Sequence, residues 1–196
     1  MNIGVDLDGV LFDSERIFDE YSVEFDKKIG GHGAVNPEEV KVSQRYDWSK
    51  EQVKAFMEHC FLKIEKEAPF MPHSIEVLKK LKAEGHNIFI ITARGLIGNG
   101  EIVTTLDRLY GLESLFTKVF FLKKDKLEIC KKNNIDVMID DYYKTIEQVA
   151  NEGIHSIYFK WRDDLKNIEH PLVKSVSNWN EVERHINSLD EKGLED

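Results

Sequence analysis

What this chain has little of narrows it first. Its 196 residues include only two cysteines, Cys60 and Cys130, both in helical patterns and far apart. Neither belongs to a CxxC pair, so both are expected as reduced thiols, buried or half-buried. The seven histidines show no HxxxH or HxH spacing, which argues against a zinc site. Positive charge is not in excess either. The formal net charge is -9, whereas a binder of nucleic-acid polymers would carry a basic patch or stripe. That balance leaves room for a small phosphorylated substrate, because a bound cation can reverse the local field. The apolar runs are strand-sized, so no membrane-spanning helix is expected. The N-terminus lacks a basic region followed by a long apolar stretch, so no signal peptide is expected and a cytoplasmic protein is the default. There is no internal repeat and no low-complexity segment. The length suits one domain of ordinary size, or a core domain carrying a small insertion.

What is present begins at once. Ile3 and Val5 read as a buried strand, and Asp6-Leu7-Asp8-Gly9 follows it directly. Alone, that is an ordinary strand running into an Asp-Gly turn. The period then changes: Ile17, Phe18, Tyr21, Phe25 and Ile29 recur at helical spacing until Gly30, Gly31 and Gly33. Asn36-Pro37-Glu38-Glu39 predicts a second, short helix, capped by Asn36 with Pro37 at its first position. Ser49-Lys50-Glu51-Gln52 is a further capping box, opening a helix through Val53, Phe56, Cys60, Phe61 and Ile64. Residues 14–70 thus read as a helical cap, and residues 1–13 and 71–196 as the core it interrupts. From Pro72 on, helices alternate with apolar runs. Those runs are Asn87–Thr92, Val119–Leu122, Asp136–Ile139, Ile154–Phe159 and Val173–Val176, and Leu189–Asp196 reads as a charged, frayed tail. Such alternation predicts an α/β fold with a doubly wound parallel sheet.

In such a sheet the carboxyl ends of the strands share one edge, and ligands bind there. The first strand delivers Asp6 and Asp8, the second Thr92, the third a lysine cluster, and the fourth Asp140 and Asp141. These parts suit phosphoryl transfer. Asp6 can attack phosphorus, and Asp8 can give and take a proton. The carboxylates would repel a phosphate dianion unless a hard cation such as Mg²⁺ lay between them. Lys126, the Thr92 hydroxyl and the Ala93 amide can hold the transferring oxygens. Arg94 either reaches the substrate phosphate or pairs with an acid. Lys124 competes with Lys126. Asp13 reads as a helix cap, and Asp140 and Asp141 could cap the next helix instead of holding a metal. Among the aromatics of the insertion, Tyr46 and Trp48 lie between helices and are the expected substrate-facing pair.

The ordered set Asp6-Leu7-Asp8-Gly9-Val10, the strand ending at Thr92, Lys126 and Ile139-Asp140-Asp141 resembles the haloacid dehalogenase superfamily of phosphohydrolases. The resemblance covers nearly the whole chain. It implies a Rossmann-like core, Asp6 as nucleophile and Asp8 as acid/base. It also implies Mg²⁺ held by Asp6, the Asp8 carbonyl and Asp140, with Asp141 nearby. Within the superfamily, the DLDGVLFD and ITAR segments, Asp125-Lys126 and the short helical cap are most similar to the 5′(3′)-deoxyribonucleotidase group. That implies a nucleotide as the small phosphorylated substrate. One position departs from the group: Ser14 stands where an aromatic commonly lines the base pocket. A sugar-phosphate phosphatase is the competing reading. A phosphoacceptor signalling domain uses similar groups, but it carries its acidic pair on the first strand. Loss of Asp8 would be the simplest way to silence the site, so its presence argues against a silent binding protein.

Overall fold

The computed structural model describes residues 1–95, 99–123 and 125–193. Lys124 and residues 194–196 of the expected tail lie outside them. Six parallel strands form one sheet in the order β3-β2-β1-β4-β5-β6. They are β1 (Asn2–Val5), β2 (Asn87–Ile91), β3 (Lys118–Phe120), β4 (Val137–Asp140), β5 (His155–Phe159) and β6 (Val173–Val176). The helices are α1 (Ser14–Lys28), α2 (Val42–Arg45), α3 (Lys50–Glu67), α4 (Ser74–Ala83), α5 (Asn99–Arg108), α6 (Lys126–Lys132), α7 (Tyr143–Ala150) and α8 (Trp179–Lys192). The apolar runs are strands because both faces of the sheet are covered. Ile3, Val5, Ile88, Ile90, Val137, Ile139 and Ile157 pack on one side, Phe89, Ile91 and Met138 on the other. The strand order reverses between β1 and β4, where Val5 pairs with Ile139. Asp6 and Asp140 therefore leave the sheet side by side at its switch point, where such sheets bind ligands.

Helices α1, α2 and α3 interrupt the core between β1 and β2 and have their own apolar cluster. Phe18, Phe56, Cys60 and Ile64 are buried there with Tyr46 and Trp48. The chain crosses into this unit and back along one seam. Asp13 N donates to Pro69 O (2.9 Å), Met71 N donates to Leu11 O (2.8 Å), and Phe12 stacks on Phe70 at 4.8 Å. Arg108 of α5 lies over Phe12 and donates to the carbonyls of Glu65, Lys66 and Ala68, holding the end of α3 against the core.

Four sequence expectations move. Asn36–Glu39 is a turn, not a helix: the Asn36 side chain donates to Gln44 O (2.9 Å) instead of capping, and the short helix forms later, at Val42–Arg45. Asp13 stands at the N-cap of α1, but its carboxylate accepts from Arg16 Nε and makes no cap bond. The third strand stops at Phe120, because Leu122 turns the chain with φ +63°. The tail is helical through Lys192, since Val182 and Ile186 bury α8 on the core and Leu189 packs against it.

Helix α8 also braces the loop that follows β1. Trp179 is 1% exposed, and its Nε1 donates to Val10 O at 2.9 Å. Replacing Trp179 with Phe keeps most of the apolar volume but leaves that buried carbonyl without its donor. The expected loss is about 1–3 kcal/mol of unfolding free energy, read from urea denaturation of both proteins.

Candidate active site

The site is built on the turn after β1. Val10, Leu11 and Phe12 all donate their amides to Leu7 O, which folds residues 7–12 into one tight coil. Gly9 takes φ +69° there, a conformation that costs glycine little. A Cβ at Gly9 would lie 2.2 Å from Asp141 Oδ2 and 2.9 Å from Glu15 Cγ. Glycine thus lets the turn lie directly against the far wall of the site.

Asp6 is 8% exposed, and its Oδ1 accepts from Leu7 N at 2.8 Å. Its Oδ2 pairs with Lys126 Nζ at 2.7 Å, and the same ammonium reaches Asp140 Oδ2 at 2.6 Å. Asp140 Oδ1 accepts from Tyr142 N at 2.8 Å, so the first acid of the pair does brace the next turn, as a capping residue would. Asp141 is buried, and its Oδ2 has no hydrogen-bond partner among the described residues. Asp6, Asp140 and Asp141 each present an oxygen within 4.8 Å of the others. Hard oxygen donors at that spacing, one of them unsatisfied, fit a divalent cation of the Mg²⁺ kind. Lys126 opens α6, where Asp125 caps the helix by accepting from Glu128 N.

Burial raises the Asp6 carboxyl to about 7, with Asp140 and Asp8 adding to the rise and Lys126 opposing it. Burial also lifts Asp141 well above the usual range, helped by Glu15, Asp140 and Asp6. Lys126 is driven the other way: burial would lower it, but Asp140 and Asp6 outweigh that and hold it protonated.

Asp8 has a different environment two residues on. Burial pushes its carboxyl up, but the Arg94 guanidinium, its hydrogen bonds and the Ser14 hydroxyl bring it below the usual range. Arg94 Nη2 donates to Asp8 Oδ1 (2.6 Å) and Arg94 Nε to Oδ2 (3.0 Å), while Ser14 Oγ donates to Oδ1 (2.7 Å). Arg94 was a candidate for the substrate phosphate. The structure places it elsewhere: its side chain is 1% exposed, held by Asp8 and by Thr105 Oγ1 at 2.9 Å. Thr92 is buried at the end of β2 with its Oγ1 accepting from Arg94 N, and Ala93 next to it is exposed. Tyr46 and Trp48 do not stand open between helices: they are 4% and 9% exposed. They stack on each other at 4.3 Å inside the insertion, with Tyr46 Oη bonded to Ser22 Oγ and Trp48 Nε1 donating to Asp26.

The whole chain matches one family model. It is described as "5' nucleotidase, deoxy (Pyrimidine), cytosolic type C protein" and covers residues 1–192. The chain belongs to this nucleotidase family. It is accordingly an enzyme, a phosphoric monoester hydrolase of the haloacid dehalogenase kind. A comparison with curated proteins found no match. Solved structures share the fold. One is a conserved haloacid dehalogenase-like protein of unknown function from Agrobacterium tumefaciens (TM-score 0.69, 15% identity, 96% of this chain and 98% of that one). A second is a haloacid dehalogenase-like family hydrolase from Streptococcus pneumoniae (TM-score 0.65, 17% identity, 94% and 97%). A third is a predicted phosphoglycolate phosphatase from Haemophilus somnus (TM-score 0.61, 15% identity, 94% and 97%). At these identities they speak for the fold alone. Among the described residues no helix is long and apolar enough to cross a membrane.

Three residues around the candidate site carry no role in the sequence reading. Ser14 was legible only as a departure from an aromatic, yet its hydroxyl touches Asp8. Glu15 stands one residue on, and burial, then Asp8, lifts its carboxyl to about 8. Glu65 of α3 is fully buried, and burial raises it to about 8 against the pull of Arg94. Its one sequence signal is an acid four residues after Phe61, on an otherwise apolar stripe. A carboxyl raised on folding binds its proton more tightly in the native state. Its stabilising contribution is therefore complete below pH 4.5 and is lost as pH rises through about 8. Glu65→Gln should melt higher than the wild type above pH 8, with the gap closing towards pH 4.5. Thermal melts across that range test this.

Proposed function

We propose that the chain is a Mg²⁺-dependent phosphomonoesterase acting through an aspartyl-phosphate on Asp6, with residues 14–70 as a cap over the site. The observation that carries this reading is the buried convergence of Asp6, Asp140 and Asp141 beside Lys126, within a family of nucleotidases. Asp6 attacks phosphorus and the bond to the leaving oxygen breaks. Asp8 supplies that oxygen with a proton. Because Arg94 favours ionised Asp8, the proton arrives with the substrate, whose second phosphate pKa is about 6. In the second half Asp8 takes a proton from water, which attacks the aspartyl-phosphate and frees both phosphate and Asp6, and that proton departs with the phosphate. Lys126, the Thr92 hydroxyl and the Ala93 amide hold the transferring oxygens. Asp6, the Asp8 carbonyl, Asp140 and Asp141 would hold Mg²⁺, which neutralises phosphate charge when bound.

The family supports a (deoxy)nucleoside monophosphate as substrate. A second reading, another small polar phosphate such as a sugar phosphate, is favoured by one observation. Trp48 is spent on the interior of the cap, and a cavity of about 410 Å³ beside it is lined by Asp19, Arg45 and Arg162 together with Tyr46. None of the strand-end carboxylates lines that cavity. The cytosol is the compartment the family's description points to.

Phosphate release should be fastest on a nucleoside monophosphate, vanish with EDTA and return with Mg²⁺. A sugar phosphate turned over faster would favour the second reading, and full activity in rigorously metal-free protein would sink the metal assignment.

Asp6→Asn should abolish turnover. Asp8→Asn should lose roughly 100- to 10,000-fold on a nucleoside monophosphate, the usual worth of general acid–base catalysis. On p-nitrophenyl phosphate it should form phosphoenzyme more readily and then stall. A rapid-quench burst on both esters measures this, and equal slowing of the first step would remove Asp8 from the acid role.

A further inference from the structure

Glu65 is a buried acid with no part in the chemistry above. It sits on α3, inside the cap, at 0% exposure, and neither of its carboxylate oxygens has a hydrogen-bond partner among the described residues. A buried carboxyl left in that state is costly, and an apolar side chain in its place would relieve the cost. The cation beside it is Arg94, whose Nε lies 3.5 Å from Glu65 Oε1. The same Nε and Nη2 clamp Asp8, while Nη1 is held by Thr105 and the guanidinium lies over the Phe12 ring at 4.9 Å. Arg94 belongs to the core, immediately after β2, and Glu65 belongs to the cap. Glu65 stands near the point where Arg108 pins the end of α3 to the core. Core and cap therefore meet on one guanidinium, and that guanidinium orients Asp8.

We propose that Glu65 is a positioning residue for Asp8, acting through Arg94, so that seating of the cap sets the orientation of the acid/base. Thr105 and Phe12 fix one edge and one face of the guanidinium, and Glu65 sets a carboxyl oxygen of the cap 3.5 Å from Nε. With the cap displaced, that neighbour leaves and Arg94 can swing away from Asp8. The proposal explains why an acid remains at a position where an apolar residue would pack at lower cost. It rests on the phosphomonoesterase reading only for the role of Asp8, not for the contact chain.

The test uses Glu65→Leu, which removes the carboxyl but suits a buried helix position, and Glu65→Gln, which keeps a side-chain oxygen there. In Glu65→Leu, kcat on a nucleoside monophosphate should fall roughly 10- to 100-fold, a part of what general acid–base catalysis supplies. KM should change little, and the first step on p-nitrophenyl phosphate, which needs little protonation, should suffer less. Glu65→Gln should recover most of the loss. In an Asp8→Asn background, Glu65→Leu should slow the enzyme no further. Equal slowing of both esters, an additive effect with Asp8→Asn, or no recovery in Glu65→Gln would overturn the proposal. A crystal structure of Glu65→Leu decides the contact chain without any activity. Arg94 displaced from Asp8 supports it, and an unchanged Arg94–Asp8 clamp refutes it. If the wild type released phosphate from no ester, the proposed function would fail, and the crystallographic result would still decide whether Glu65 positions Arg94.

Discussion

Holding like charges together away from water is the constraint on which this structure depends. Asp6, Asp140 and Asp141 offer oxygens within 4.8 Å of one another at the switch point of the sheet. Isolated, three such carboxylates would carry a large desolvation penalty. Lys126 offsets part of it by bridging Asp6 and Asp140, and Leu7 and Tyr142 add backbone donors. The rest of the core serves this arrangement. The parallel order makes β1 and β4 neighbours, Gly9 admits Asp141, and Trp179 ties the intervening loop to the last helix.

Two carboxylates on one short segment then acquire opposite characters. Asp6 is buried and Asp8 half-buried, and desolvation alone would push both upward. Asp6 faces further acids and rises to about 7. Asp8 faces Arg94 and Ser14 and falls below its usual range. Environments that separate two like groups in this way divide their labour. The division comes from different elements, since the neighbours of Asp6 come from β4 and α6, and those of Asp8 from α1 and the end of β2.

The helical insertion meets the core through charge at both its edges. On one side, Asp19 and the Pro37 carbonyl receive Arg162, while Glu39 receives Lys166 and Tyr143. On the other, Arg108 takes three carbonyls at the end of α3, and Glu65 lies against Arg94. Its apolar residues are largely consumed inside, with Phe18, Phe56 and Ile64 packed around the Tyr46–Trp48 stack. Polar contacts are weaker per unit of buried area than an apolar seam and are more readily remade.

The sequence by itself determined the alternation of helix and strand, the parallel sheet, and the placing of Asp6, Asp8, Thr92, Lys126, Asp140 and Asp141 at strand ends or the start of the next helix. Those features are local: periodicity reports burial, and a parallel sheet sends every strand's carboxyl end to one edge. Tertiary structure alone decided the partners. Asn36 looked like a cap, but a carbonyl at Gln44 took its side chain. Tyr46 and Trp48 looked available between helices, but Phe18, Phe25 and Phe56 enclosed them. Arg94 was equally suited to a phosphate or an acid, and Asp8, 86 residues away in the chain, claimed it. Glu65 resembled any acid on a helix until α3 was laid against the end of β2. A side chain's chemistry is written in its own residue. Whether that chemistry meets water, an apolar wall or an opposite charge depends on residues far along the chain, and only folding brings them near.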